Sequence, residues 1–448
     1  MENQGYLVRG PLALVLQISR FQGVAPLRLE PRSNGYYAQN SSFMTHYSRF
    51  LLIILSKELK ILLILCECNI TDIFTFIGLV MDLFHVGTKK AIRVTTLSSL
   101  VIWLVDVTSI LIITGLGVFQ GPHRMTHIME HLRNIDKVNI KLKKIKGVPG
   151  QQKLIVAIIC VMIGLYLLMG VDFGYYVMDS MTRGKGMIVV YVYGSQYFKY
   201  SMALFLHLQI SLVILLAKSA MKTINDRLRE LIQHLDLNRS YSFYLKKSTI
   251  QTMCILYLTK PDIWINNLIM IFINFYFRPR NCWSLREIAD CYVTTCNIVK
   301  DLNEENGILL IAMYISFITY LVVSIYYLIA AVCSPTGFMR NFNIVLQFIW
   351  CTYHCFKIFL LIEPCHRTHQ EMEETRVLAS QLTYRMTPPG QPLPVELETF
   401  HKQLILYNPS FSPLNICTLN RSQIAGIIAG VTTYMLIIVQ QRLIDECT

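Results

Sequence analysis

Charged side chains are scarce in this chain of 448 residues, of which only 15% are charged and 53% are hydrophobic. A soluble domain usually carries about 25% charged residues, so the composition excludes a protein whose main solvent is water. Several apolar stretches reach the roughly 20 residues that a helix needs to cross a bilayer. Lipid offers the backbone no hydrogen-bond partners, and runs of this length favour helices over strands. The sequence therefore predicts an integral membrane protein built from helices.

The sequence predicts neither a disulfide framework nor a cleavable leader. The 13 cysteines are an odd number, and those such as Cys160, Cys333 and Cys351 lie within apolar runs, as small buried side chains do. The N-terminal run from Pro11 to Ile18 is short and has no clear cleavage site. We therefore expect the first membrane helix to direct the chain to the bilayer.

The net charge of +13 does not indicate nucleic-acid binding, because Lys and Arg sit mainly beside the apolar runs. That distribution is typical of cytoplasmic loops next to anionic lipid. The connections 120–152 and 218–249 are strongly basic, which places both in the cytoplasm and the N-terminus with them.

The chain divides into a cytoplasmic segment 1–42, a membrane domain 43–440 and a short extracellular tail 441–448. An apolar stretch at 250–277 contains Lys260, Pro261 and Asp262, which are costly in lipid, so we interpret it as an atypical interfacial insertion. The seven predicted spans are about 43–66, 94–119, 154–178, 188–217, 308–333, 342–363 and 422–440.

Two sequence motifs carry a resemblance to a known family. Thr433 and Tyr434, five apolar residues and Gln440 resemble the last-helix signature of insect gustatory receptors, although Gln441 stands where Phe is usual. The run from Gln347 to His366, which includes Trp350, His354 and Glu363, is similar to the fructose-receptor branch of that family.

The resemblance implies an all-α subunit of seven membrane helices, four of which surround a central pore lined by the last helix. It implies a multi-pass receptor in the plasma membrane that binds a sugar, D-fructose, in an outward-facing pocket of each subunit. Binding opens a non-selective channel for monovalent and divalent cations. The assembly expected is a homotetramer, or a heteromer with other gustatory receptors.

The last helix also has features that point to a pore. Gly426, Gly430, Thr433, Ile437 and Gln440 are spaced by four, three, four and three, and form one seam. The glycines permit close backbone approach, and an apolar ring beside a ring of amides could gate hydrated cations by dewetting. The same spacing is typical of an ordinary packed helix. The candidate pore and gate residues are Thr433, Ile437, Gln440 and Gln441.

Polar and aromatic residues collect at the predicted outer level of several spans. Gln347, Trp350 and His354 form one helical stripe. A sugar needs flat aromatic faces and amide or carboxylate groups in a mostly apolar cavity, although Tyr and Trp at this level are also common interfacial anchors. The candidate ligand-binding residues are Asp106, Asp172, Tyr176, Tyr193, Gln196, Tyr326, Gln347, Trp350 and His354.

Enzyme and metal sites have little support. His123, His127 and His131 repeat every four residues, but HExxH is absent, so a solvated helix face is the simpler interpretation. Pro364, after Glu363, is expected to end its helix. We predict no catalytic residue, metal or cofactor. The open alternatives are a gustatory receptor for bitter or other non-sugar ligands, a transporter, and a G-protein-coupled receptor.

Overall fold

A computed structural model of the chain describes residues 6–33, 35–53, 97–142, 151–182, 188–256, 279–333, 338–386 and 392–447. Most of these residues are helical. The helices are α1 (Gly10–Phe21), α2 (Ser42–Ile53), α3 (Leu97–Phe119), α4 (Gly121–Lys141), α5 (Gln151–Thr182), α6 (Ile188–Leu256), α7 (Pro279–Glu305), α8 (Gly307–Val332), α9 (Phe338–Met386), α10 (Val395–Leu406) and α11 (Arg421–Cys447), with a short 3-10 helix at Pro413–Asn415.

A small antiparallel sheet departs from the all-α expectation. Its strands are β1 (Tyr6–Val8), β2 (Leu27–Arg32) and β3 (Gly35–Asn40), with β3 in the centre. Helix α1 buries Leu12, Val15 and Leu16 and packs against α5 and α6. Strand β2 alternates apolar and polar residues, but β1 and β3 do not, so the sequence gives only a weak signal for this sheet.

Helix α6 spans 69 residues and continues far beyond the predicted span 188–217. At 1.5 Å per residue it is about 100 Å long, whereas the hydrocarbon core is about 30 Å thick. The basic segment 218–249 is therefore part of this helix and not a loop, which corrects the prediction. It contains neither Gly nor Pro, so nothing in its sequence breaks the helix.

Helix α9 also continues past its predicted end at Pro364, which lies inside the helix. Proline lacks an N–H group and leaves the carbonyl four residues earlier without its helical donor. That carbonyl belongs to Leu360, and the Ser211 hydroxyl of α6 donates to it at 2.7 Å. The expectation that Pro364 ends the helix is wrong because a neighbouring helix supplies the missing hydrogen bond.

The core of the bundle forms around α6 and α9, which make the most extensive helix contact, with α8 packed against α9, α3 and α11. Among the described residues, five helical segments are long and apolar enough to cross a membrane. They are Val101–Phe119, Ile155–Thr182, Tyr193–Asp236, Gly307–Val332 and Arg340–Met386.

The remaining predicted segments are only partly covered. Of the span 43–66, residues up to Ile53 belong to α2, and 54–66 lie outside the described residues. Of the stretch 250–277, residues up to Leu256 continue α6, and 257–277 lie outside. The predicted last span falls within α11, which is not among the five segments, so its crossing of the membrane stays a prediction.

Candidate ligand pocket and pore helix

A cavity lies between α3, α5, α6, α8 and α9, within the membrane-spanning part of the bundle. Its walls carry carboxylates, amides and aromatic rings. The lining residues are Asp106, Asp172, Tyr176, Gln196, Tyr197, Tyr200, Tyr320, Val323, Ser324, Tyr327, Gln347, Trp350 and His354.

Asp172 joins three of these helices. Its carboxylate oxygen Oδ2 accepts a hydrogen bond from the Tyr197 hydroxyl at 2.6 Å and from Trp350 Nε1 at 3.0 Å. The residue is buried, and a buried carboxylate is costly unless such donors satisfy it. The interaction holds α5, α6 and α9 together at one depth and fixes the plane of the Trp350 ring.

Asp106 makes the corresponding link between α3 and α6. Tyr200 donates its hydroxyl proton to this carboxylate, with 2.8 Å to each oxygen, and Gln196 Nε2 donates to Oδ2 at 3.1 Å. Asp106 and Gln196 are both buried. Neutral donors of α6 therefore position the Asp106 carboxylate.

Stacked rings form the deep side of the cavity. His354 stacks on Trp350 with ring centroids 5.6 Å apart, and on Tyr320 with centroids 5.3 Å apart. At the other end Tyr176 stacks on Tyr193 at 5.2 Å. Flat aromatic surfaces of this kind can pack against the C–H face of a sugar or against an organic cation.

The cavity is tight. The space open to the centre of a water molecule is about 40 Å³, which accommodates a few waters. Pockets for small organic ligands usually measure about 300–1,000 Å³. A ligand would therefore have to push side chains apart, and this provides a physical link between ligand entry and helix movement.

The structure brings most of the predicted ligand residues to this cavity. Tyr193 lies behind Tyr176, and Tyr326 does not line the cavity but packs edge-on against Tyr327, which does. The predicted residues that line it are Asp106, Asp172, Tyr176, Gln196, Gln347, Trp350 and His354.

The residues that sequence reasoning missed follow helical spacing. Tyr200 is one turn beyond Gln196, and Tyr320, Ser324 and Tyr327 form an i, i+4, i+7 stripe of α8. That periodicity could have identified them. It also explains why Tyr327 and not Tyr326 faces inward, because neighbouring helix positions are about 100° apart.

The candidate pore residues lie in the C-terminal half of α11, where residues 432–437 are all exposed. Ile437 is 53% exposed, and Thr433 and Gln440 are exposed, while the side chain of Gln441 lies outside the description. Ile427 and Val431 on another face are buried. The exposed seam is thus available for another molecule, although the structure of one subunit does not test a pore.

Two polar contacts help to attach α11 to the bundle. The Tyr314 hydroxyl of α8 donates to Gln423 Oε1 at 3.1 Å. Arg421, at the start of α11, donates from Nη2 and Nε to the two carboxylate oxygens of Glu363 on α9, at 2.7 and 2.9 Å. Glu363 also accepts from Arg367. Side chains on α8 and α9 therefore border both the cavity and the helix that carries the candidate pore.

The three histidines of α4 have a structural partner. His127 Nδ1 lies 2.6 Å and His131 Nε2 lies 3.3 Å from the Glu305 carboxylate at the end of α7, and His123 stacks on His127. Burial lowers the pKa of His131 to about 4 and raises that of Glu305 to about 7. No metal-binding group of three such residues occurs in the described part of the chain.

Comparisons with known proteins agree with this architecture. A family model described as "7tm Chemosensory receptor" matches residues 14–444. A Drosophila melanogaster protein named "Gustatory receptor for sugar taste 43a" is 24% identical over 156 residues, and the match spans only about a third of each protein, 35% of this chain and 35% of the relative.

A solved structure has a similar fold. The insect olfactory receptor OR5 from Machilis hrabei, solved in complex with eugenol, matches with a TM-score of 0.52 at 12% identity, over 96% of this chain and 97% of that one. The mostly helical, multi-pass architecture is confirmed, as is the resemblance to insect gustatory receptors. The family comprises chemoreceptor ligand-gated channels and not enzymes. The chain belongs to the 7tm chemosensory receptor family.

Proposed function

We propose that this protein is a sugar-gated, non-selective cation channel of the plasma membrane, with D-fructose as its ligand. The observation that carries the proposal is the cavity itself, where two positioned carboxylates and two amides lie beside stacked aromatic rings. Hydroxyl groups of a sugar can donate to the carboxylates and accept from the amides, and its C–H faces can pack on Trp350. The sugar-taste relative supports the same ligand class.

The proposed ligand contacts are the residues named from the sequence. Gln347 and Trp350 are the best candidates, because both are buried and both line the cavity from one face of α9. Tyr193 and Tyr326 are proposed to act behind the first layer of contacts, by supporting Tyr176 and Tyr327.

The proposed channel is a tetramer of seven-helix subunits with cytoplasmic N-termini, either homomeric or together with other gustatory receptors. Four copies of α11 would surround the pore, with Ile437 and Gln440 at the constriction and Thr433 and Gln441 beside it. The exposed face of α11 supports this arrangement, since exposed Gln440 is costly against lipid but suited to a water-filled path. Monovalent and divalent cations would pass, because the proposed ring is uncharged.

The test is sugar-evoked current in cells that express the chain and lack the relevant G-protein signalling. We expect currents with fructose, and a raised half-maximal concentration in Trp350→Ala and Gln347→Ala. Phe348→Ala is the matched control, because Phe348 is exposed on the same helix. Unchanged dose responses in both pocket variants would reject the pocket, and absence of current across a sugar panel would reject the function.

A second candidate ligand class is a basic bitter compound. Asp106 and Asp172 among aromatic rings could hold an ammonium group as well as a sugar. Currents evoked by amines and not by sugars would favour this candidate.

A further inference from the structure

Lys357 of α9 is buried in the membrane-spanning bundle with 0% exposure. Within the described residues its Nζ has no hydrogen-bond partner. Three aromatic rings surround it instead, with their centroids 4.8 Å (Tyr320), 5.3 Å (Tyr353) and 5.6 Å (Phe317) from Nζ. Ring faces attract a cation, so the cage offsets part of the cost of burying the ammonium group.

The cage adjoins the floor of the ligand cavity. Tyr320 belongs to both, and His354, which also lines the cavity, stacks on Tyr320. Lys357 itself does not line the cavity. The ammonium is thus separated from a bound ligand by a layer of aromatic rings and would act on the ligand through its field and not through contact.

The carboxylates near the cavity are already engaged. Asp106 accepts from Tyr200 and Gln196, and Asp172 accepts from Tyr197 and Trp350. Among the described residues, the membrane-spanning segments bury these two carboxylates and two ammonium groups, those of Lys199 and Lys357. A neutral ligand preserves this balance, whereas a ligand that carries an ammonium group adds a positive charge above the Lys357 cage.

We propose that Lys357 is a specificity-determining residue whose charge offsets the attraction of Asp106 and Asp172 for organic cations, so that the pocket favours neutral polyhydroxy ligands. The proposal rests on the sugar-receptor function and narrows its ligand class. For any two ammonium groups about 8–10 Å apart in a medium with an effective dielectric constant of about 20, Coulomb repulsion corresponds to about 10- to 30-fold in affinity. This is large enough to separate a sugar from its amino analogue.

The test uses two ligands that differ in charge at one position, D-fructose and 1-amino-1-deoxy-D-fructose, which is protonated at neutral pH. Half-maximal concentrations for current are measured for the wild type, Lys357→Met, Lys357→Arg and the control Phe359→Ala, whose side chain is exposed on the same helix. We expect the wild type, Lys357→Arg and Phe359→Ala to share one ratio of the half-maximal concentration of the amine to that of fructose. Lys357→Met should lower that ratio about 10- to 30-fold, through tighter binding of the amine.

Each outcome decides the proposal. A Lys357→Met channel with a normal fructose response and wild-type discrimination overturns it and leaves the sugar function intact. If Lys357→Met does not assemble, Lys357→Gln provides the same comparison, and a Lys357→Gln channel with the wild-type ratio overturns the proposal. A wild-type channel that is silent to fructose contradicts the proposed function, and this proposal with it.

Discussion

Ser211 on α6 donates its hydroxyl proton to the carbonyl oxygen of Leu360 on α9, at 2.7 Å. This is the carbonyl that Pro364 deprives of its helical N–H donor. Because the partner comes from another helix, α9 passes through Pro364 without ending, and its path there depends on α6. The segment that carries Gln347 and Trp350 is thereby joined to the segment that carries Glu363 and the charged part of α9.

Ser211→Ala should destabilise the protein by about 1 kcal/mol, since it leaves the half-buried Leu360 carbonyl without a donor. Pro364→Ala restores the N–H group within α9. In that background Ser211→Ala should cost much less, because the Leu360 carbonyl then has a helical donor. Thermal unfolding of the four proteins of this double-mutant cycle in detergent measures the coupling. Equal effects of Ser211→Ala in both backgrounds would contradict the assigned role.

The ion pair between Glu363 and Arg421 should hold the start of α11 against α9. Arg421→Glu places two carboxylates together and should alter the open probability of the channel in the absence of ligand. The double variant Glu363→Arg with Arg421→Glu should restore much of the wild-type open probability, because the two side chains again carry opposite charges. Single-channel recording without sugar checks this. If the open probability of the double variant differs from wild type as much as that of Arg421→Glu does, the charge pair does not control the position of α11.

The Glu305 cluster predicts a specific dependence of stability on pH. Burial raises the pKa of Glu305 to about 7, so its contribution is present below the unfolded value of 4.5 and is lost as pH rises through about 7. His131 acts in the opposite direction: its pKa is lowered to about 4, mainly by burial, so its contribution is lost as pH falls through the range below 6.5.

Glu305→Gln isolates the carboxylate, because the amide resembles the protonated acid. The difference in unfolding free energy between this variant and the wild type should shift by about 1 kcal/mol in favour of the variant from pH 5 to pH 8. Solvent screening keeps the shift this small, because Glu305 is partly exposed. Unfolding temperatures at the two pH values provide the measurement. Glu398→Gln is the control, since that carboxylate is exposed and pairs with Lys402. A pH-independent difference between Glu305→Gln and wild type would contradict the assignment.

A prediction for the pore concerns Gln440. Its replacement by Leu should reduce conductance severalfold or close the channel, because an apolar ring of four side chains resists wetting. Ile428→Val, at an exposed position on another face of α11, should leave conductance unchanged. Unaltered currents in a fully expressed Gln440→Leu channel would remove Gln440 from the pore.

Much of this fold could be predicted from apolar run length, because lipid allows only a few solutions to backbone hydrogen bonding. Helix ends could not be predicted in the same way. A proline such as Pro364 is expected to end a helix, but here Ser211 donates to the Leu360 carbonyl. A local sequence pattern cannot predict this contact, because the two residues are 149 positions apart. The charge of the segment 218–249 predicts a loop after the membrane span. Charge ends the apolar span, but it does not end the helix, which continues to Leu256.

The sequence predicted the depth of the cavity residues along each span better than their rotation about each helix axis. Depth along each span brought Asp172, Gln196 and Trp350 to one outer level and placed Asp106 nearer mid-membrane, and the structure places all four around one cavity. Rotation about each helix axis was harder to predict, as the exchange of Tyr326 for Tyr327 shows. Lys357 could not be interpreted from sequence, because its partners are ring faces on α8 and α9 that only the packing brings together.

The most direct measurement of the central claim is current through the purified chain alone in a planar bilayer, recorded as D-fructose is added. For the homotetramer the account predicts a sugar-evoked cation current that needs no other protein, with a half-maximal concentration raised in Trp350→Ala and not in Phe348→Ala. A purified homotetramer that binds fructose but passes no current, or a current equally sensitive to sugar in both variants, would contradict it.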